Sequence, residues 1–236
     1  VATSIGGVGI PLLTENYVKG DFRAAGKLVQ DNLTMLVAFL LPATIGAVAI
    51  AEPLYTVFYG KPDSLALGLF ILAMLQTIIL GWYTVLSPMI QALFQNRKAI
   101  LYFGYGVLVK LILQVPFIYF FKAYGPLLST TIGLMIPIVL MYKEIHVVTK
   151  FNRKTVFKRS LLTAILTFIM LLVVLLSALI LGFVFKPNGR VTSMIYVAVI
   201  GGVGIIVYGG LGLRLRFLDR FIGSKAASLR NKFHIS

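Results

Sequence analysis

Residues 101–120, LYFGYGVLVKLILQVPFIYF, decide how the rest of the chain is read. The run is apolar at nearly every position. Its length is close to the roughly 20 residues an α-helix needs to cross the 30 Å hydrocarbon core of a bilayer. Lys110 stands in its middle. A cation at that depth costs at least about 2.5 kcal/mol on insertion scales. It lies roughly 16 Å along the helix from the nearer end, too deep for its side chain to snorkel to the interface. The helix therefore crosses a membrane, and Lys110 needs a compensating partner.

The flanking sequence repeats the pattern. Of 236 residues, 59% are hydrophobic and 12% charged, with a mean hydropathy of +0.96. Soluble domains carry roughly 25% charged residues. The apolar runs are continuous rather than alternating, which excludes a β-barrel and predicts an all-α polytopic membrane protein. Cysteine is absent, so there is no disulfide framework or thiolate metal site. The chain begins with Val1, and VATSIGGVGIPLLT has no charged region before it. It reads as the second half of a span, not a signal peptide, and the chain as the C-terminal part of something longer.

Six complete spans are expected after this partial one (1–14). A polar loop (15–31) precedes four spans within 32–142, at about 32–58, 65–94, 99–121 and 126–142. A basic loop (143–159) leads to two peripheral spans within 160–213, and a basic tail (214–236) follows. The 65–94 span is long, and Gly81 and Pro88 predict a bend or tilt. Of the 22 Lys and Arg, seventeen fall in four alternate segments: 15–31, the QNRK turn, 143–159 and the tail. Four, Lys61, Lys122, Lys186 and Arg190, fall in the intervening turns. By the positive-inside rule the basic segments and the C-terminus are cytoplasmic. Topology thus accounts for the net charge of +15, with no nucleic-acid partner required. The tail has the pattern of an amphipathic surface helix, with Leu215, Leu218, Phe221 and Ile222 opposite Arg214, Arg220 and Lys225.

All seven acidic residues lie in loops or near span ends, so no carboxylate is available at depth for a cation relay. His146 and His234 are far apart in sequence and read as surface histidines, not metal ligands. No nucleotide loop, nucleophile elbow or zinc motif is present. Nothing in these residues supports an enzyme, and no cofactor or metal is expected.

Residues four apart share a helix face. Tyr102, Gly106, Lys110 and Gln114 form a polar, partly small stripe that should turn toward the protein interior or a water-filled cavity. Gln76 and Ser87, on the preceding span, add polar groups to the candidate cavity. Lys110 is met by carbonyls and hydroxyls, by a carboxylate beyond this chain, or by an anionic ligand. The last span carries small residues at Ala198, Gly201, Gly202, Gly209 and Gly212, a pattern for close helix packing or for an acyl chain.

Three stretches carry a family resemblance: GIPLLTENYVKGD, QALFQNRKAILYFGYGVLVKLILQVPFIYFFKAYGPLLSTTIG, and the basic loop with its two aliphatic spans. Together they resemble the C-terminal half of a lipid-linked-oligosaccharide flippase of the MOP superfamily. That group holds the MurJ-type lipid II flippases, the YtgP/SpoVB-like proteins and the polysaccharide exporters. The resemblance implies a fourteen-helix transporter of two lobes around a central cavity, with the present spans as about the eighth to fourteenth. It implies that the last two helices lie beside the main bundle and form a groove for a polyprenyl tail. It also implies a polyprenyl-pyrophosphate-linked glycan as substrate, membrane lipids as partners and the bacterial cytoplasmic membrane as location. Lys110 looks like a lysine often seen at this place in the YtgP/SpoVB-like group, where it would attract the pyrophosphate. The expected function is flipping of lipid II by alternating access. The alternatives are export of a capsule, teichoic or spore-coat precursor, a MATE-type drug exporter, and a scaffold for cell-wall synthesis proteins.

Overall fold

The computed structural model describes residues 2–184 and 189–214. Among them every regular element is a helix: α1 (Ala2–Val18), α2 (Phe22–Ala49), α3 (Ala51–Tyr59), α4 (Ser64–Ala92), α5 (Asn96–Phe121), α6 (Gly125–Thr149), α7 (Arg153–Val184) and α8 (Arg190–Arg214). A single 3-10 turn, Lys122–Tyr124, joins α5 to α6. The chain divides into two compact units. Of the described residues, the first comprises those up to 40 with 71–160, and the second comprises 41–70 with those from 161 to 214.

Five helical runs are long and apolar enough to cross a membrane. One of them, Asn96–Thr149, is 54 residues long and turns back on itself at the 3-10 segment, so it supplies two antiparallel spans. At about 39 Å and 38 Å, α5 and α6 each suffice for a bilayer. The six expected spans are therefore all helical. Lys122 takes a left-handed φ of 49° at the reversal, and Pro126 sits in the first turn of α6, where its missing N–H leaves no bond unmade.

The expected loops are shorter than their polar composition suggested. The stretch 15–31 is helix on both sides of a turn at Lys19–Asp21, because Asp21 Oδ1 accepts from Ala24 N–H (2.9 Å) and caps α2. In 143–159 only residues 150–152 leave the helix. Lys150 there adopts a φ of 47°, and Asn152 Oδ1 accepts from Thr155 N–H. Charged residues in these stretches extend transmembrane helices past the apolar core instead of interrupting them. The span expected over 32–58 is two helices, α2 and α3, broken at Ile50.

In the first unit one core joins α1, α2, α4, α6 and the start of α7. Ala25, Val29, Leu33 and Leu36 bury one face of α2, Val85, Leu86, Met89 and Ile90 bury the end of α4, and Leu93 is buried just beyond it. Gly81 lets α4 approach α2, since an added Cβ would collide with the end of the Leu40 side chain and touch Leu36. Contacts also gather three of the basic turns at one end of this unit. Tyr17 meets Phe94 at 6.2 Å between ring centroids, Gly26 lies against Thr149 and Phe151, and Arg159 pairs with Asp31 at 2.8 Å.

In the second unit Ile50, Met170, Val174, Tyr196 and Ile200 form the core, and Tyr196 donates to the Ala178 carbonyl at 3.0 Å. The glycine stripe expected to pack closely on α8 does not do so among the described residues. Cβ atoms added at Gly201, Gly202 or Gly209 would meet nothing within 4 Å. It is Gly204, one turn beyond Ile200, that meets Val174, 3.2 Å from an added Cβ. The packed face of α8 follows Tyr196, Ile200 and Gly204 at four-residue intervals, and the other glycines fall off it. The tail, including Leu215, Leu218, Phe221, Ile222, Arg220 and Lys225, lies outside the described residues.

Candidate functional site

The buried residues of α6 are Gly125, Ser129, Gly133, Pro137, Met141, Ile145 and Thr149, a stripe with an unbroken period of four. Its first half is small, and α5 lies into that half. An added Cβ on Gly106 would sit 2.5 Å from the Gly133 carbonyl oxygen and 2.8 Å from Pro137 Cδ. One on Gly133 would sit 2.8 Å from Lys110 Cβ. The stripe Tyr102, Gly106, Lys110, Gln114 is therefore the face by which α5 packs on α6. Gly106 is buried under α6, so it gives the two backbones room to approach and presents no surface to a ligand.

The other candidates separate by whether the fold already satisfies them. The Tyr102 hydroxyl donates to Glu144 Oε2 at 3.2 Å, while Lys98 Nζ donates to Oε1 of the same carboxylate at 2.6 Å. Gln76 donates to the Leu127 carbonyl at 3.3 Å, and Ser87 Oγ accepts from Gln91 at 3.4 Å. Lys110 and Gln114 are different. Both are half-buried, one turn apart on the seam, and neither has a hydrogen bond or ion pair among the described residues. The three ion pairs found there use Glu15, Asp31 and Glu144, all toward helix ends. At membrane depth the site thus reduces to an ammonium and an amide with unused hydrogen-bonding capacity. Such a pair can bind an anion that also accepts hydrogen bonds.

Sequence reasoning missed a second feature. In the first unit a cavity of about 550 Å³ opens between Trp82 of α4, Ile138, Val139 and Tyr142 of α6, and Val156 and Phe157 of α7. Lys143 and Arg153 also line it, and the Arg153 guanidinium stacks 5.6 Å from the Tyr142 ring centre. Its walls come from three separate helices, so no single stretch signals it. The nearest signal was Trp82, the chain's one tryptophan. His146 also departs from expectation. It was read as a surface group, yet its Nδ1 is buried without a partner among the described residues and its ring stands edge-on to Phe151 at 5.0 Å. Among the described residues no cluster of His, Cys, Asp or Glu is fit to hold a metal.

Continuous apolar helices, a tight antiparallel hairpin and an intramembrane cation on its seam define a multi-pass α-helical membrane protein. No family model matches the chain. It is 29% identical over 230 residues, 95% of its length, to a protein of Bacillus subtilis (strain 168) named lipid II flippase MurJ. The chain spans 42% of that relative's length. Its fold matches a solved structure of lipid II flippase MurJ in an inward closed conformation, with a TM-score of 0.67 and 21% identity over 94% of this chain and 43% of the other. The sequence match bears out the resemblance to the C-terminal half of a MurJ-like flippase, and the structural match bears out its fold.

Proposed function

We propose that the chain is part of a flippase that moves an undecaprenyl-pyrophosphate-linked glycan, specifically lipid II, from the inner to the outer leaflet of the bacterial cytoplasmic membrane. The observation that carries this is Lys110, an intramembrane cation with no counter-charge among the described residues, in a chain similar to a lipid II flippase over 95% of its length. A pyrophosphate supplies the missing charge, and Gln114 adds a donor one turn away. The seam fixes the backbone under both residues, because Gly106 and Gly133 leave α5 little freedom to shift against α6. The head group rests against this cationic wall while the prenyl tail stays in lipid, and the wall opens alternately to either side. No covalent bond changes. The basic turns face the cytoplasm, as does the C-terminus, following the distribution of Lys and Arg.

The test uses the full-length protein in cells depleted of their own lipid II flippase. Outer-leaflet lipid II is counted with an impermeant probe. Recovery supports the reading. Failure to recover, with the protein present in the membrane, overturns lipid II as cargo and turns attention to other surface-glycan precursors. Lys110→Ala should abolish the recovery at normal expression, and Lys110→Arg should keep part of it. Full transport by the Ala variant removes Lys110 from substrate binding.

A further inference from the structure

We infer that the cavity between α4, α6 and the start of α7 is a binding site for an anionic phospholipid of the surrounding leaflet. Its phosphate would sit on Lys143 and Arg153, with an acyl chain laid along Trp82, Ile138, Val139 and Val156. This site is separate from the Lys110 seam and does not depend on the cargo.

Three observations support it. The volume, about 550 Å³, falls within the roughly 300–1,000 Å³ of small-molecule sites. The walls are apolar, and the two cations stand together at one end. Lys143 is the lining residue of α6 nearest the 150–152 turn, and Arg153 opens α7 just after it. From Lys143 down to Met135 the groove follows α6 for about 12 Å, a path that leads from the basic end into the apolar part of the helix. Neither cation has a carboxylate partner among the described residues. Arg153 is instead held by its stacking on Tyr142, which leaves its outer N–H groups free for phosphate oxygens. A ligand with a charged phosphate at one end and an alkyl chain at the other matches this layout. A soluble anion leaves the apolar walls unused, and a neutral lipid leaves the cations unused. Val139 and Phe157 are 47% and 69% exposed, so the groove opens sideways and a lipid can enter from the bilayer.

The experiment places the full-length protein in nanodiscs containing a trace of phosphatidylglycerol with a photoreactive acyl chain. Phosphatidylcholine with the same chain serves as the comparison. Crosslinked peptides are mapped by mass spectrometry. The expected result is labelling of segments 79–82 and 135–160 at least fivefold higher with phosphatidylglycerol. Lys143→Gln with Arg153→Gln should bring it down to the phosphatidylcholine level. Lys154→Gln with Lys158→Gln removes the same charge from the same turn outside the groove, and should change labelling less than twofold. Val139→Trp, which fills the groove and keeps both cations, should also abolish labelling and guards against a fold defect in the double variant. Equal labelling by the two lipids overturns the site, as does an equal loss in the two double variants, since diffuse attraction to the basic surface then explains everything. Labelling of these segments by a photoreactive polyprenyl phosphate but not by phosphatidylglycerol also overturns it and assigns the groove to the prenyl lipid.

Discussion

Lys110 and Glu144 lie on the two arms of one helix hairpin under opposite conditions. Glu144 accepts from both Lys98 and Tyr102 near the basic end, so its charge is shared where water can reach it. Lys110 has no such neighbour, and its cost is left for a ligand to offset. Glu144→Ala removes the common acceptor of two donors and should lower Tm in detergent by a few degrees. Lys19→Ala breaks an exposed pair with Glu15 one turn away and should leave Tm unchanged. The period-four spacing of Tyr102, Gly106, Lys110 and Gln114 was visible in sequence. Which of them the fold would satisfy was not, because the partners, Glu144 and Gly133, lie 42 and 27 residues away along the chain.

At the scale of elements, Gly104 and Gly106 make a direct comparison on α5. A Cβ at Gly104 meets nothing within 4 Å, whereas one at Gly106 meets the Gly133 carbonyl and the Pro137 ring. Gly106→Val should cost about 1–3 kcal/mol by prising α5 from α6, while Gly104→Val should not lower stability measured by chemical unfolding in micelles. On α8 the same contrast holds between Gly204, packed on Val174, and Gly201, which is open. The start of α4 depends on Asp63, whose carboxylate accepts from Ala66 N–H at 2.6 Å. Asp63→Ala should cost about 1 kcal/mol in the same assay. The turn between α5 and α6 was legible because Gly125 and Pro126 mark it locally, and the turn before α5 because QNRK is a short polar break between apolar runs. The helical character of the polar stretches was not, since charged residues are good helix formers and their solubility says nothing of their backbone.

At the scale of the whole molecule, the charge asymmetry predicts sidedness, and single cysteines can check it because these 236 residues contain none of their own. Lys61→Cys, in the α3–α4 turn, should react with an impermeant thiol reagent added outside intact cells. Lys154→Cys, at the start of α7, should react only after permeabilisation. The reverse pattern would invert the topology. Three basic turns already converge on one end of the first unit through contacts such as Tyr17 with Phe94 and Arg159 with Asp31. That convergence is what a common membrane face requires.

Span number, span length and the hairpin at 122–124 follow from local chemistry. A bilayer demands about 20 apolar residues per crossing, and backbone groups without water must bond within the helix. These constraints act within one segment, so one segment reveals them. Tertiary structure alone determined three further things: that the polar stripe of α5 is its packing face on α6, that most glycines of α8 lie off its packed side, and that an apolar cavity with two cations opens between α4, α6 and α7. Each depends on which helices become neighbours. Between apolar helices in lipid, that choice rests on shape and close packing, which no hydrophobic pattern encodes.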